Sequence, residues 1–364
     1  RFLWLKRGPF HRALWRIWRV GVPRPEPMKP AQAPLDEQQL AESVQTYDVL
    51  GSFDASRFGV LRDAQYDASG RRLATASDDC VVRVWSADQR EVVGELRGHK
   101  APVLSVCWAH GQQHGKATLA STGSDGHVII WREVNLGEWR AVHQVARTGP
   151  VTDAAFCPPD YGLVLAVASG DGTVVMLTRR EVHTSPVLPS GEQWQMKSFT
   201  AHAGGVVALS WAPSASPATL AAGPAASRAP PKGKRRLATA GGDGIVRTWS
   251  YDEKSDSWTQ FQELLDNDGR VHGKLRDVAW RPNAGIPSSI VASCTEAGYV
   301  ATWTQDVDGQ PWSLQAAWSV GADARRLTWS KAGSLLSVSV GEANVALYQE
   351  GPIGRWSEVA SLVE

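Results

Sequence analysis

The sequence predicts an all-β fold, a six-bladed β-propeller, and three observations predict it. Short β-type runs ending in an aromatic or large apolar anchor recur six times, at Trp85, Trp131, Leu177, Trp249, Trp303 and Tyr348. Their spacings are 46, 46, 72, 54 and 45 residues, and all but the third lie near the roughly 40 to 45 residues of a four-stranded blade. Six residues before each anchor stand Asp79, Asp125, Asp171, Asp243, Ala297 and Glu342, and four of these positions are followed by Gly126, Gly172, Gly244 and Gly298. An Asp-Gly pair between β runs marks a tight hairpin, because those residues tolerate positive φ.

Each unit then reads in one order. Ahead of the hairpin comes an apolar run with its own anchor, Tyr66, Trp108, Phe156, Trp211, Trp280 or Trp329, as in "PVLSVCWAH" and "LRDVAWRP". Behind it comes a polar turn and a further run often led by Trp, as in "GEWRAVHQV", "SDSWTQFQEL" and "GRWSEVASL". That makes four strands per unit and one propeller over residues 57–364. Residues 213–236, "PSASPATLAAGPAASRAPPKGKRR", interrupt the fourth unit and account for the long interval. Their Pro, Ala, Gly and Ser content cannot bury enough apolar surface to order itself, so the stretch reads as a surface loop, and its Lys232, Lys234, Arg235, Arg236 cluster as a solvated one. Residues 1–56 form an N-terminal extension. Arg12, Arg16 and Arg19 with Leu14, Ile17 and Trp18 have the spacing of a basic amphipathic helix. Residues 1–27 are read as lying upstream of a native start at or near Met28, and a β run is expected near Tyr47.

Composition narrows the function. Hydrophobic residues make up 43% and charged residues 21% of the 364, enough to bury a large core. The first 25 residues hold seven basic and no acidic side chains, which leaves 31 basic against 37 acidic in the remainder. Such a body lacks the electrostatic footprint of a nucleic-acid binder. Cys80, Cys107, Cys157 and Cys294 lie far apart with no CxxC pair, so neither a zinc knuckle nor a disulfide framework is indicated and a reduced compartment fits best. His110 and His114 have metal-like spacing in "AHGQQHG" but no third ligand. No Ser/His/Asp order, phosphate-cradling Gly loop or nucleotide fingerprint is present. The sequence carries no catalytic, metal or cofactor site.

These residues resemble the WD-repeat family. Its hallmark is a network in which a His before the first strand and an Asp in the hairpin turn join a hydroxyl and the strand-c Trp, so that a buried indole and a buried carboxylate satisfy each other. The resemblance implies such networks at His99, Asp125 and Trp131 and at His202, Asp243 and Trp249. Blades 1, 3 and 5 offer Asp79 with Trp85, Asp171, and Trp303, but Arg57, Arg147 and Val271 stand at the His position, as does Val320 in blade 6.

Within the family, "LRDAQYDASGRRLATASDDCVVRVW", "LRGHKAPVLSVCWAH", "HVIIWREVNLGEW", "PPDYGLVLAVASGDGTV", "RDVAWRPNAGIPSSIVASC" and the Gly-x-Trp turns are similar to the small propeller subunits of the COPII outer coat, which also serve in the Y-shaped scaffold of the nuclear pore. The similarity covers residues 57–359. "SVGEANVALYQ" departs from it by lacking the Asp turn and Trp of the last blade. The C-terminal "RWSEVASLVE" already supplies blade 6 with its outer strand, so nothing in the chain clasps the ring. The resemblance implies an open propeller that receives a seventh blade from a large helical scaffold protein of the coat or of the nuclear pore. It also implies a non-enzymatic subunit at endoplasmic reticulum exit sites, on COPII vesicles and at the nuclear envelope, with indirect membrane association. From strand order, Tyr47, Val49, Leu61, Leu327 and Trp329 are candidate edge contacts. Two other readings stay open: the related nucleoporin, and a closed propeller that reads peptides, such as a ubiquitin-ligase substrate receptor.

Overall fold

In the computed structural model, the described residues are 14–17, 51–55, 58–110, 116–180, 193–214, 234–265, 273–282, 288–341 and 344–362. They form six antiparallel four-stranded sheets, each in simple chain order, and one separate strand pair. The pair joins β1 (Leu14–Ile17) to β2 (Gly51–Asp54). Leu14–Ile17 is therefore extended where its spacing suggested a helix, because its main chain pairs with Gly51–Asp54. Tyr47 and Val49 lie outside the described residues.

Blade 1 comprises β3 (Leu61–Tyr66), β4 (Arg72–Ser77), β5 (Val81–Ser86) and β6 (Val92–Arg97). Blade 2 comprises β7 (Val103–Trp108), β8 (Thr118–Gly123), β9 (His127–Asn135) and β10 (Glu138–Ala146). Blade 3 comprises β11 (Val151–Phe156), β12 (Val164–Ser169), β13 (Thr173–Arg180) and β14 (Gln193–Thr200). Blade 4 comprises β15 (Val206–Trp211), β16 (Arg236–Gly241), β17 (Val246–Asp252) and β18 (Ser257–Leu264). Blade 5 comprises β19 (Leu275–Trp280), β20 (Ser289–Thr295), β21 (Tyr299–Gln305) and β22 (Ser313–Ser319). Blade 6 comprises β23 (Ala324–Trp329), β24 (Leu335–Val340), β25 (Asn344–Glu350) and β26 (Trp356–Leu362). The chain is a six-bladed β-propeller.

The second strand of each blade shows why blades stack. It alternates a large residue with a small one, as in Leu73–Ala74, Leu119–Ala120, Leu165–Ala166 and Leu237–Ala238, and the alternation of a strand sends the two to opposite faces. The small face of one blade receives the large face of the next. Ala74, Ala76, Val82 and Val84 of blade 1 pack against Trp108, Leu119, Ile129 and Trp131 of blade 2. The same arrangement joins blades 2 and 3, 3 and 4, 4 and 5, and 5 and 6. The outer strands lie at the rim and are largely exposed, as in β10 and β14.

Polar staples along the innermost strands reinforce this stacking. A β-bulge precedes the same position, three residues before the strand-a anchor, in all six blades. Bulges re-aim side chains, and here they turn Asp63, Asp153 and Asp277 toward the following blade. Their carboxylates accept main-chain N–H bonds from Val106 at 3.1 Å, Leu209 at 3.1 Å and Leu327 at 2.9 Å. Ser105 Oγ donates to Asp153 at 2.9 Å, and Trp280 N donates to Ser210 Oγ at 2.9 Å. All five junctions from blade 1 to blade 6 are stapled.

Asp153 is 4% exposed and serves two junctions. Asp153→Ala leaves the Leu209 N–H without its buried acceptor, and the expected loss is about 3 kcal/mol, from hydrogen bonds to a charged group and an unmet donor. Asp153→Asn keeps an acceptor and is expected to lose less than half of that, measured by urea unfolding at pH 7.

Candidate functional site

The hairpin turns of blades 2 and 4 each hold a four-membered hydrogen-bond chain. Trp131 Nε1 donates to Ser121 Oγ at 2.8 Å, Ser121 Oγ lies 2.8 Å from His99 Nε2, and His99 Nδ1 lies 3.1 Å from both Asp125 oxygens. In blade 4, Trp249 Nε1 donates to Thr239 Oγ1 at 2.9 Å, Thr239 Oγ1 lies 2.8 Å from His202 Nε2, and His202 Nδ1 lies 3.0 Å from Asp243. With the imidazole neutral and its proton on Nδ1, each bond has one donor and one acceptor, the hydroxyl donating to Nε2; in blade 4 Arg247 also meets both His202 Nδ1 and Asp243. Gly123 and Gly241 make room for the His–Asp pair, since a Cβ at Gly241 would stand 2.1 Å from both Asp243 Oδ1 and His202 Nδ1. Ser121, Thr239, Gly123 and Gly241 had no signal of their own in the sequence apart from their spacing from the Asp.

The remaining blades hold their turns differently. In blade 1, Trp85 Nε1 donates to Thr75 Oγ1, while Arg83 pairs with Asp79 and Glu95 and lies over the Phe58 ring. Cys80 takes φ 68° at the turn position that glycine fills in blades 2 to 5. In blade 3, Arg147 and Thr173 hold Asp171, whose carboxyl is pulled down to about 2 because these bonds outweigh the effect of burial. In blade 5, Trp303 Nε1 donates to the Leu265 carbonyl, and Glu342 lies outside the described residues. All these groups are engaged within the fold. Among the described residues no cluster of three or more His, Cys, Asp and Glu side chains is placed to hold a metal ion, and His114 lies outside them.

The distinctive place is the junction between blade 6 and blade 1. Successive innermost strands pack along one another from β3 through β23, but β23 is not packed on β3 in this way among the described residues. The large face of blade 1, with Leu61, Leu73 and Trp85, is covered instead by Phe53, Ala55 and Phe58. Both phenylalanine rings meet Trp85 edge-on at 5.7 Å. The small face of blade 6 carries Thr328, Ser337, Ser339, Val345 and Leu347, of which Ser339 and Val345 are buried and the others half-buried. Ser337 is half-buried, whereas Ala74, Ala120, Ala166, Ala238 and Ala292 at its position are 0% exposed. Leu61 lies under Phe53, and Leu327 and Trp329 face blade 5 in its core, so the strand alternation puts the neighbours of Leu327 and Trp329 on the opposite face of blade 6.

Arg326 stands where Asp63, Asp153 and Asp277 stand in their blades, and its guanidinium is held by the charges of those three carboxylates, Asp63 of blade 1 foremost. Burial pushes its guanidinium pKa down, but Asp63, Asp277 and Asp153 outweigh this and hold it above the ordinary arginine value. Among the described residues it has no hydrogen-bond partner, and neither Arg326 nor Thr328 staples blade 6 to blade 1.

Burial lowers the pKa of His99 and of His202 despite the adjacent carboxylates. A histidine depressed by folding contributes stability above its unfolded value of about 6.5 and loses it as pH falls toward the folded value. Asp125 and Asp243 are also depressed, as their hydrogen bonds outweigh burial, but they act only near or below their unfolded value of about 3.9. Stability is therefore expected to fall between pH 7.5 and 5.5. In a His99→Gln/His202→Gln variant that slope flattens, as read from urea midpoints at the two pH values.

The comparisons agree with this architecture. A family model described as "WD domain, G-beta repeat" matches residues 48–86 and 90–132. The chain is 33% identical to "Protein transport protein SEC13" of Cryptococcus neoformans over 330 residues, 83% of this chain and 94% of that protein. It is 34% identical to "Protein transport protein sec13" of Emericella nidulans, over 84% of this chain and 96% of the relative. It is 31% identical to "Protein SEC13 homolog" of Drosophila melanogaster, over 85% and 83%. A chain with this propeller and this extent of identity to such relatives belongs to the Sec13 family of WD-repeat proteins.

Proposed function

We propose that the protein is a non-enzymatic scaffold subunit of the COPII outer cage, acting in transport from the endoplasmic reticulum, and that it also serves as a nuclear-pore scaffold component. Its ring is open between blades 6 and 1, and a large helical partner, of the coat or of the pore's Y-shaped complex, completes it with a seventh blade. The partner thereby gains a rigid joint, and the propeller gains cover for the small face of blade 6. The protein then works in the cytoplasm at exit sites and vesicles and at the nuclear envelope, reaching membranes through its partner.

The observation that carries the reading is Ser337 on the small face of blade 6, half-buried where the alanines at its position in the other blades are fully buried, in a chain whose relatives are named for protein transport. A strand laid there forms main-chain bonds only within its own blade, so recognition comes from the face: a large aliphatic or aromatic side must meet Ser337, Ser339 and Val345, as Trp and Leu do at the other junctions. A self-closed peptide reader would instead stack blade 1 on blade 6.

Co-purification from cell extract at high salt, where surface electrostatics are screened, is expected to recover a large helical coat or nucleoporin scaffold. Recovery of neither, with a monomeric and protease-resistant bait, contradicts the donated blade. Ser337→Arg is expected to abolish that capture while lowering the Tm of the isolated protein only modestly, because Ser337 is half-buried and leaves the arginine room to reach water. Ala292→Arg, at the same position in closed blade 5, is expected to unfold it.

A further inference from the structure

Three of the five blade junctions are cross-linked near their outer rim by the residue two after the strand-c aromatic. Glu133 pairs with Arg72 at 2.6 Å, Gln305 accepts from Arg236 at 2.9 Å, and Glu350 pairs with Arg281 at 2.8 Å. At the junction of blades 3 and 4 that residue is Tyr251, and the position matching Arg72 is Val164. Neither can form the cross-link. A cleft of about 340 Å³ remains between the two blades, with Val164, Met176, Phe199 and Trp258 supplying its apolar wall. Its size falls at the lower end of the roughly 300–1,000 Å³ of ligand sites.

One cation at the cleft has no ion-pair partner among the described residues. Arg235 holds its guanidinium 4.6 Å from the Tyr251 ring centroid and 5.8 Å from that of Tyr161, and among the described residues it has no carboxylate partner. Stacking fixes a rotamer-rich side chain in advance and leaves its donors unused. Lys197, by contrast, is neutralised by Asp256, which also accepts from the Tyr251 hydroxyl. The site therefore offers one uncompensated positive charge beside an aromatic wall. That suits a single carboxylate better than a doubly charged phosphate. Beside it runs β14, the outermost strand of blade 3, whose other edge pairs with no strand among the described residues and can bond a peptide main chain.

We propose that this cleft is a docking site for an extended acidic peptide segment of a partner protein. A Glu or Asp carboxylate takes the bidentate face of Arg235, and an apolar neighbour lies on Phe199 and Trp258. The site is on the far side of two blade junctions from the gap and does not depend on a donated blade.

The test is fluorescence anisotropy of the full chain with two labelled peptides, one with Leu-Glu-Leu and one with Leu-Gln-Leu at the centre of a Gly/Ser frame. The expected result is at least tenfold tighter binding of the glutamate peptide, the size of one charge-assisted bidentate contact. Arg235→Gln, which leaves the core untouched, is expected to erase the difference without changing the Tm. Amide exchange is expected to slow at residues 193–200 and 256–259 on binding. Equal binding of the two peptides, an Arg235→Gln variant that still discriminates, or binding of a phosphoserine twin in preference to glutamate would each overturn the proposal.

Discussion

One asymmetric contact generates the ring: the large face of each blade presses into the small face of the one before it. Leu, Trp and Ile on one side need Ala and Val on the other, since interiors are close-packed and two large faces would hold the blades apart. The contact has a direction, and a directional contact between similar units propagates until something stops it. Between blades 1 and 6 it repeats five times. At blade 1 it is capped by Phe53 and Phe58, and among the described residues no innermost strand continues it beyond blade 6.

Hydrophobic stacking alone does not fix where one blade sits along the next, and the polar staples do. A bulge recurs at one position of each innermost strand, and from there Asp63, Asp153 and Asp277 fasten the neighbouring main chain near the axis. Strand-a indoles do the same a step further out, with Trp108, Trp211 and Trp329 donating to carbonyls of Gln65, Ala155 and Ala279. Much of the tryptophan content is thus a fastening system. Outer tryptophans extend it, as Trp356 stacks with Trp318 and meets Trp329 edge-on.

The number of blades, their four-strand order and the turn positions were legible in the sequence because each rests on local chemistry: Asp-Gly needs a turn, and an aromatic anchor needs a buried face. The His99–Asp125 and His202–Asp243 pairs were legible once the repeat was aligned, since both partners recur at constant offsets. What was not legible depends on which face a residue takes. Leu327 and Thr328 are adjacent, and nothing local says which one meets blade 5 and which meets the gap. A one-residue shift exchanges the faces of a strand, so candidate edge contacts taken from strand order fell on Leu61, Leu327 and Trp329, in the core. The extended state of Leu14–Ile17 was hidden for a similar reason, because its pairing partner is more than 30 residues away.

The departures from the repeat are more informative about function than the repeat itself. Where alanine becomes Ser337 and aspartate becomes Arg326, a blade has lost the features that bind a next blade of its own kind. Those changes would be costly inside a closed ring, where Ser337 would meet an apolar face and Arg326 would meet main-chain N–H groups with donors of its own. They are tolerable at a face that stays wet or receives a partner with complementary groups. Tyr251 and Val164 follow the same logic at the rim between blades 3 and 4, where the cross-link seen at three other junctions is missing and a cleft remains while the apolar contact beneath it stays intact. In a fold made by reuse of one contact, a position that breaks the rule without unfolding its blade is the place to look for an interaction with something else.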